Sequence, residues 1–76
     1  MSDTLVAEGI TVRVNGDERA IPAGLTVDRL LEHLSLNPRM VVVEHNRVIL
    51  RDREAYRSLA LADGDVLEIV HFVGGG

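Results

Sequence analysis

The stretch VLEIVHFVGGG, residues 66–76, decides how the rest of the chain is interpreted. An apolar, strand-like run passes directly into three glycines, with no polar linker between them. Because glycine lacks a Cβ atom, such a tail can thread a channel that rejects side chains. We predict a last strand over residues 66–73, followed by a tail in which the terminal carboxylate of Gly76 is the reactive group.

The first predicted element is a hairpin. Residues 10–14 alternate apolar and polar side chains, which is the period of a half-buried strand. Asn15-Gly16 follows at once, and this pair favours a type I′ turn because both central positions need positive φ. We expect residues 18–21 to form the returning strand.

An amphipathic helix is predicted next. Thr26 is a suitable N-cap, and Asp28 faces the positive end of the helix dipole. The apolar residues that follow share one helical face, and Asn37-Pro38 should close the segment because the residue before proline avoids helical geometry. These apolar residues are Val27, Leu30, Leu31 and Leu34.

The second half of the chain is predicted to form mainly strands. Residues 40–44 are apolar and β-branched, which predicts a buried central strand, and residues 48–50 predict a short one. Residues 51–59 are polar and irregular, with one helical turn around Tyr56. A turn at Asp63-Gly64-Asp65 leads into the last strand. One helix must then cover one face of a mixed sheet.

Length and composition narrow the function. Seventy-six residues make a single domain with a small core, too small for a deep substrate pocket, so an enzyme is not expected. Cysteine is absent, which excludes disulfides and thiolate chemistry and fits a reducing cytoplasm. The net charge of -4 disfavours nucleic acid. No signal peptide and no run of about 20 apolar residues is present, so no membrane span is expected.

Metal and catalytic sites are not expected either. The three histidines, at positions 33, 45 and 71, lack metal-ligand spacing, and Asp63 and Asp65 lack the further acidic residues of a calcium loop. No serine stands in a nucleophile motif. We therefore predict no catalytic side chain, no metal and no cofactor.

The last strand predicts a docking surface. If Leu67 and Ile69 face the helix, Val70 and Phe72 face solvent, and Val42 could join them from the neighbouring strand. An exposed apolar patch at the base of the tail would hold a partner in register with Gly76. The alternative is that Phe72 packs on a loop.

Several segments together resemble the ubiquitin-like β-grasp sulfur carriers of the ThiS/MoaD family. The resemblance covers residues 10–76 and rests on the hairpin at 12–17, the helix start at 26–31, the strand and turn at 41–49, and residues 61–76. Two departures are the third terminal glycine and Leu50, where the family often has proline. The implied fold is α+β, a β-grasp with a mixed sheet of four to five strands covered on one face by one main helix.

The resemblance also implies domain boundaries, partners and a reaction. Residues 1–8 would be a flexible arm, residues 9–73 the β-grasp domain, and Gly74, Gly75 and Gly76 a flexible reactive tail. A ThiF-like adenylating enzyme would activate the Gly76 carboxylate with ATP. A sulfur donor such as a cysteine desulfurase would convert it to a thiocarboxylate, and a ThiG-like thiazole synthase would use that sulfur in thiamin biosynthesis.

Three alternatives stay open at this point. The chain could be a MoaD-like sulfur carrier subunit of molybdopterin synthase, or a ubiquitin-like modifier conjugated to protein lysines. It could also be an interaction module with an inert tail, in which case removal of Gly75 and Gly76 would leave its function intact.

Overall fold

The computed structural model describes residues 9–72, which fold as a five-stranded mixed sheet with two helices on one face. The order of strands across the sheet is β2-β1-β5-β3-β4, so the last strand of the chain is the central one. In chain order the elements are β1 (Gly9–Val14), β2 (Asp17–Pro22), α1 (Val27–His33), a 3₁₀ turn (Pro38–Met40), β3 (Val41–His45), β4 (Val48–Ile49), α2 (Arg53–Ser58) and β5 (Val66–His71).

The N-terminal hairpin forms as the sequence predicts. β1 and β2 are antiparallel, and Val14 pairs with Asp17 across a tight turn. The two turn residues have positive φ, 50° at Asn15 and 89° at Gly16, which is the geometry that an Asn-Gly pair tolerates. The returning strand is one residue longer at each end than expected.

The central strand joins the two halves of the sheet. β5 runs parallel to β1, where Val14 pairs with Leu67, and antiparallel to β3, where Val43 pairs with Ile69. Helix α1 makes the crossover between β2 and β3, the two strands that flank this parallel pair. The expected α+β, β-grasp architecture is therefore confirmed.

Helix α1 begins where its cap predicts and ends earlier than expected. The Thr26 hydroxyl accepts a hydrogen bond from the Arg29 backbone N–H at 3.3 Å. The helix stops at His33, and Leu34 becomes its C-cap, because Ser35 takes a left-handed conformation with φ of 61°. Pro38 then opens the 3₁₀ turn instead of closing the helix.

The second half of the chain differs from expectation at two places. The single helical turn predicted around Tyr56 is a six-residue helix, α2, which is capped by Asp52 and anchored by the buried Tyr56. Met40 lies in the 3₁₀ turn with 44% of its surface exposed, instead of in a buried strand.

The core lies between the helices and one face of the sheet. It is purely apolar apart from the Tyr56 hydroxyl, and burial of each large side chain contributes about 1.5–3 kcal/mol to stability. Its members among the described residues are Val12, Val14, Ile21, Val27, Leu30, Leu31, Val41, Val43, Tyr56, Leu61, Leu67 and Ile69. The other face of the sheet has no covering element within residues 9–72 and is called the open face below.

Within residues 9–72, neither helix has the length and apolar character that a membrane crossing requires.

Candidate functional site

The predicted apolar residues come together on the open face. Leu67 and Ile69 are buried, whereas Val70 and Phe72 have the opposite phase and are 61% and 52% exposed. Val70 lies on β5, and Phe72 directly follows that strand. Val42 is the register partner of Val70 on β3 and is half-buried. The alternation of side chains along the strand thus predicted correctly which of them face the core and which lie on the open face.

Met40 belongs beside these residues, and the sequence did not indicate it. The Phe72 backbone N–H donates to the Met40 carbonyl oxygen at 2.9 Å, which places Met40 at the register position opposite Phe72. The only sequence signal was Asn37-Pro38, which favours a turn just before Met40. The four residues Met40, Val42, Val70 and Phe72 are called the apolar patch below.

An acidic pair lies next to the apolar patch. Glu44 on β3 and Glu68 on β5 are direct register partners, so both carboxylates stand on the open face. Neither carboxylate makes a salt bridge with another described residue. Like charges directly opposite each other destabilise a sheet. The exposed Glu18 on the same face differs, because it contacts Arg13 at 3.3 Å.

Asn15 supports the end of β5 from the other side. Its backbone N–H donates to the Leu67 carbonyl oxygen at 2.9 Å. Its side-chain amide then contacts Ile69 twice: Oδ1 accepts from the Ile69 N–H at 2.7 Å, and Nδ2 donates to the Ile69 carbonyl at 3.2 Å. The Asn-Gly pattern predicted Asn15 only as a turn residue. Nothing in the sequence indicated that its side chain binds the backbone of Ile69.

The start of β5 is fixed by a polar cluster around Asp65. His45 Nε2 lies 2.8 Å from one carboxylate oxygen, and the Asn46 amide donates to the other at 3.1 Å. The Ala62 N–H also donates to this carboxylate, at 2.9 Å. Partial burial by itself raises the pKa of Asp65, but the hydrogen bonds from Ala62, His45 and Asn46 outweigh it, so the net pKa is lowered.

The histidines are dispersed in the structure. His33 is exposed on α1, His45 belongs to the Asp65 cluster, and His71 is exposed on β5. Within the part of the chain that the structure describes, no three His, Asp or Glu side chains are grouped so that they could hold a metal ion.

Gly74, Gly75 and Gly76 lie outside the described residues, as do residues 1–8 and Val73. The structure describes the strand that leads to the tail: β5 ends at His71, and Phe72 follows it at the edge of the apolar patch. The boundaries expected at residues 8 and 74 therefore remain predictions.

Comparison with known proteins gives one consistent family. A sequence model of the ThiS family matches residues 12–76. The sulfur carrier protein ThiS of Bacillus subtilis is 47% identical over 51 residues, which are 67% of this chain and 76% of that protein. The crystal structure of the thiamine biosynthesis protein (ThiS) from Geobacter metallireducens is 34% identical and superposes with a TM-score of 0.75, covering 88% of this chain and all of the other.

Similar segments also occur inside much longer proteins. The thiazole synthase of Paramagnetospirillum magneticum is 46% identical to this chain over 63 residues, which are 83% of this chain and 19% of that protein. The thiazole synthase of Magnetococcus marinus is 37% identical over 65 residues, or 86% of this chain and 20% of that protein. The chain thus spans about a fifth of the length of these two relatives.

Proposed function

Because this chain belongs to the ThiS family, we propose that it is a sulfur carrier of thiamine biosynthesis and that Gly76 carries the sulfur. The observation that supports this most directly is the extent of the family match, which runs from the first hairpin through the three glycines. The chain is then a protein substrate of other enzymes and supplies no catalytic side chain of its own.

The proposed chemistry begins with activation of the Gly76 carboxylate. A terminal carboxylate has a pKa of about 3.3–3.7, so it is ionised at neutral pH and is a poor electrophile. In the active site of an adenylating enzyme, one carboxylate oxygen attacks the α-phosphorus of ATP, and pyrophosphate leaves. The product is an acyl adenylate, whose AMP group can be displaced.

Sulfur enters in the second step. Hydrosulfide attacks the carbonyl carbon of the acyl adenylate. Where the sulfur donor is a cysteine desulfurase, which holds its sulfur as a persulfide, a thiol reductant releases that sulfur as hydrosulfide and is itself oxidised to a disulfide. The bond from carbon to the AMP oxygen breaks, AMP leaves with the electron pair, and loss of the S–H proton gives the thiocarboxylate. Because the reaction needs ATP and reduced sulfur, we place it in the cytoplasm.

The apolar patch is the proposed docking surface for these enzymes. Val42, Val70 and Phe72 expose apolar area where β5 leads toward the tail, and Met40 extends that area. A rigid domain that docks here would hold the tail in a fixed position relative to the partner's active site, which converts a bimolecular encounter into an oriented one. Residues 74–76 carry no side chains and would enter a narrow site that a larger residue at Gly75 would block.

A thiazole synthase is the proposed acceptor of the sulfur. Two proteins named thiazole synthase contain a segment similar to this chain within a much longer polypeptide. Covalent linkage of two modules raises their effective concentration, so such a chain gains most when its segments act on one another. This arrangement supports a thiazole synthase as the partner of this chain.

The proposal is tested by intact-mass measurement. The protein is incubated with the adenylating enzyme, ATP and sulfide, and we expect the mass increase of one oxygen-to-sulfur exchange. A variant without Gly76 should not gain this mass, while its thermal unfolding stays as in the unchanged protein. Loading of the shortened variant would refute the assignment to Gly76, and high-mass adducts in cell extract would favour a modifier instead.

A further inference from the structure

The central strand extends beyond the strand that pairs with it on one side. β1 ends at Val14, and its register with β5 covers only the pairs Arg13–Val66 and Val14–Leu67. β5 continues to His71. On the other side β3 pairs with β5 as far as His71, so beyond Leu67 only one strand supports the part of β5 that leads to the tail.

Asn15 takes the place of the missing strand at this point. Its side-chain amide presents one N–H and one carbonyl oxygen, as a peptide group does, and both contact Ile69 at 3.2 Å and 2.7 Å. The left-handed backbone of Asn15, with φ of 50°, turns the main chain away into β2 while the side chain continues toward β5. The amide therefore supplies the two hydrogen bonds that Ile69 would receive from the backbone of a longer β1 strand.

These two hydrogen bonds should restrict the twist of the strand end. Two-stranded ribbons twist more than larger sheets, so the end of β5 paired with β3 alone would have a wider range of directions. Bonds to Ile69 from the second side restrict that range three residues before Phe72. A change of twist at Ile69 would move both Phe72 and the residues that follow it relative to Met40 and Val42.

We propose that Asn15 is a positioning residue for loading: its amide contacts with Ile69 set the direction in which β5 leaves the sheet and presents Gly76. This inference rests on the proposed function of Gly76. Asn15 contacts neither ATP nor the sulfur donor in this account, and acts only through the backbone of β5.

Asn46 provides a matched control at the opposite end of β5. It is also an asparagine in a left-handed turn, with φ of 48°, and its Oδ1 also accepts a hydrogen bond from a β5 backbone N–H, that of Val66, at 2.8 Å. Val66 lies roughly 20 Å along the strand from Phe72. Loss of the Asn46 amide should therefore affect the fold without changing where the tail leaves it.

The test compares Asn15→Gly with Asn46→Gly in full-length protein. Glycine keeps the positive φ at both turns and removes only the amide. We measure thermal unfolding of each variant and the steady-state rate of adenylation. We expect Asn15→Gly to lower kcat by about tenfold to a hundredfold, as misplacement of a reacting group by about 1 Å does. Asn46→Gly should keep kcat within about twofold of the unchanged protein even where its stability falls.

A second substitution separates positioning from folding. Asn15→Asp keeps the oxygen that accepts from the Ile69 N–H but replaces the Nδ2 donor with a second oxygen. One of the two contacts is kept, so kcat should fall less than with Asn15→Gly. Equal kcat values for the Asn15 and Asn46 variants, or a change in KM alone, would overturn the inference about Asn15. The proposed function would still stand in that case, provided that the unchanged protein is loaded with sulfur. Failure of the unchanged protein to load would instead refute both.

Discussion

Phe72 is a large aromatic side chain that remains half exposed in a domain with one Phe and one Tyr. It is 52% exposed, whereas Tyr56 is 4% exposed in the core. Aromatic side chains bury a large area on binding, so an exposed one beside the proposed reactive tail should contribute more to recognition than to folding. Binding and stability should therefore respond differently to its removal.

We expect Phe72→Ala to change the free energy of unfolding by no more than about 0.5 kcal/mol and to raise the KM of the adenylating enzyme by about tenfold. Val48→Ala is the control, because Val48 is a 62% exposed apolar residue on β4, outside the apolar patch. Denaturant unfolding and loading kinetics measure the two effects. A large loss of stability in Phe72→Ala would place Phe72 in the core instead.

The lowered pKa of Asp65 gives a prediction about acid stability. A carboxyl group whose pKa is lower in the folded than in the unfolded state contributes stability above its ordinary pKa, and this contribution is lost as the pH falls through the folded value. We therefore expect the difference in the free energy of unfolding between the unchanged protein and Asp65→Asn to shrink as the pH falls below 3.8, the ordinary pKa of an aspartate. Urea unfolding at several pH values measures it; a constant difference would contradict the assignment.

The pairing of strands β3 and β5 contains both favourable and unfavourable side-chain contacts. The apolar patch and the acidic pair lie on the same pair of strands. Val42 faces Val70, and two positions along the strands Glu44 faces Glu68. Cross-strand pairs of like charge oppose the pairing of the strands, whereas β-branched pairs support it. The acidic pair is thus a site where substitution should stabilise the sheet.

Replacement of Glu68 by Gln should raise the free energy of unfolding by about 0.2–1 kcal/mol, since it removes the repulsion from Glu44. The same change at Glu18 should be neutral or destabilising by up to about 1 kcal/mol, because Glu18 pairs with Arg13 on the surface. Urea unfolding compares the two variants, and added salt should reduce both effects. A destabilised Glu68→Gln would show that the repulsion is compensated elsewhere.

How much of each element the sequence predicts depends on the range of the interactions that form it. The Asn-Gly turn and the alternation in β5 are local patterns, and they predicted the hairpin and the face on which Phe72 lies. Helix α2 has a single buried residue, Tyr56, so it lacked an apolar stripe. The pairs Glu44–Glu68 and Asn15–Ile69 join distant segments, and no local pattern reports the register between them.

For the whole molecule, the sheet places the last strand at its centre, and that strand leads to the glycines. β5 is held by its two neighbouring strands, β1 and β3. The polar cluster around Asp65 fixes it at its start, and the side-chain amide of Asn15 holds it at Ile69. A central strand is the most constrained position in a sheet, so a tail attached to it has a well-defined origin. In the proposed function the folded domain docks on the partner and orients the tail, and the chemistry takes place beyond residue 72.

The most direct test of this account is to locate the sulfur in the loaded protein by fragmentation mass spectrometry. We predict that every fragment containing Gly76 carries the oxygen-to-sulfur exchange and that all other fragments keep their calculated mass. Sulfur on any fragment that lacks Gly76, or an unchanged fragment at the end of a loaded chain, would contradict it.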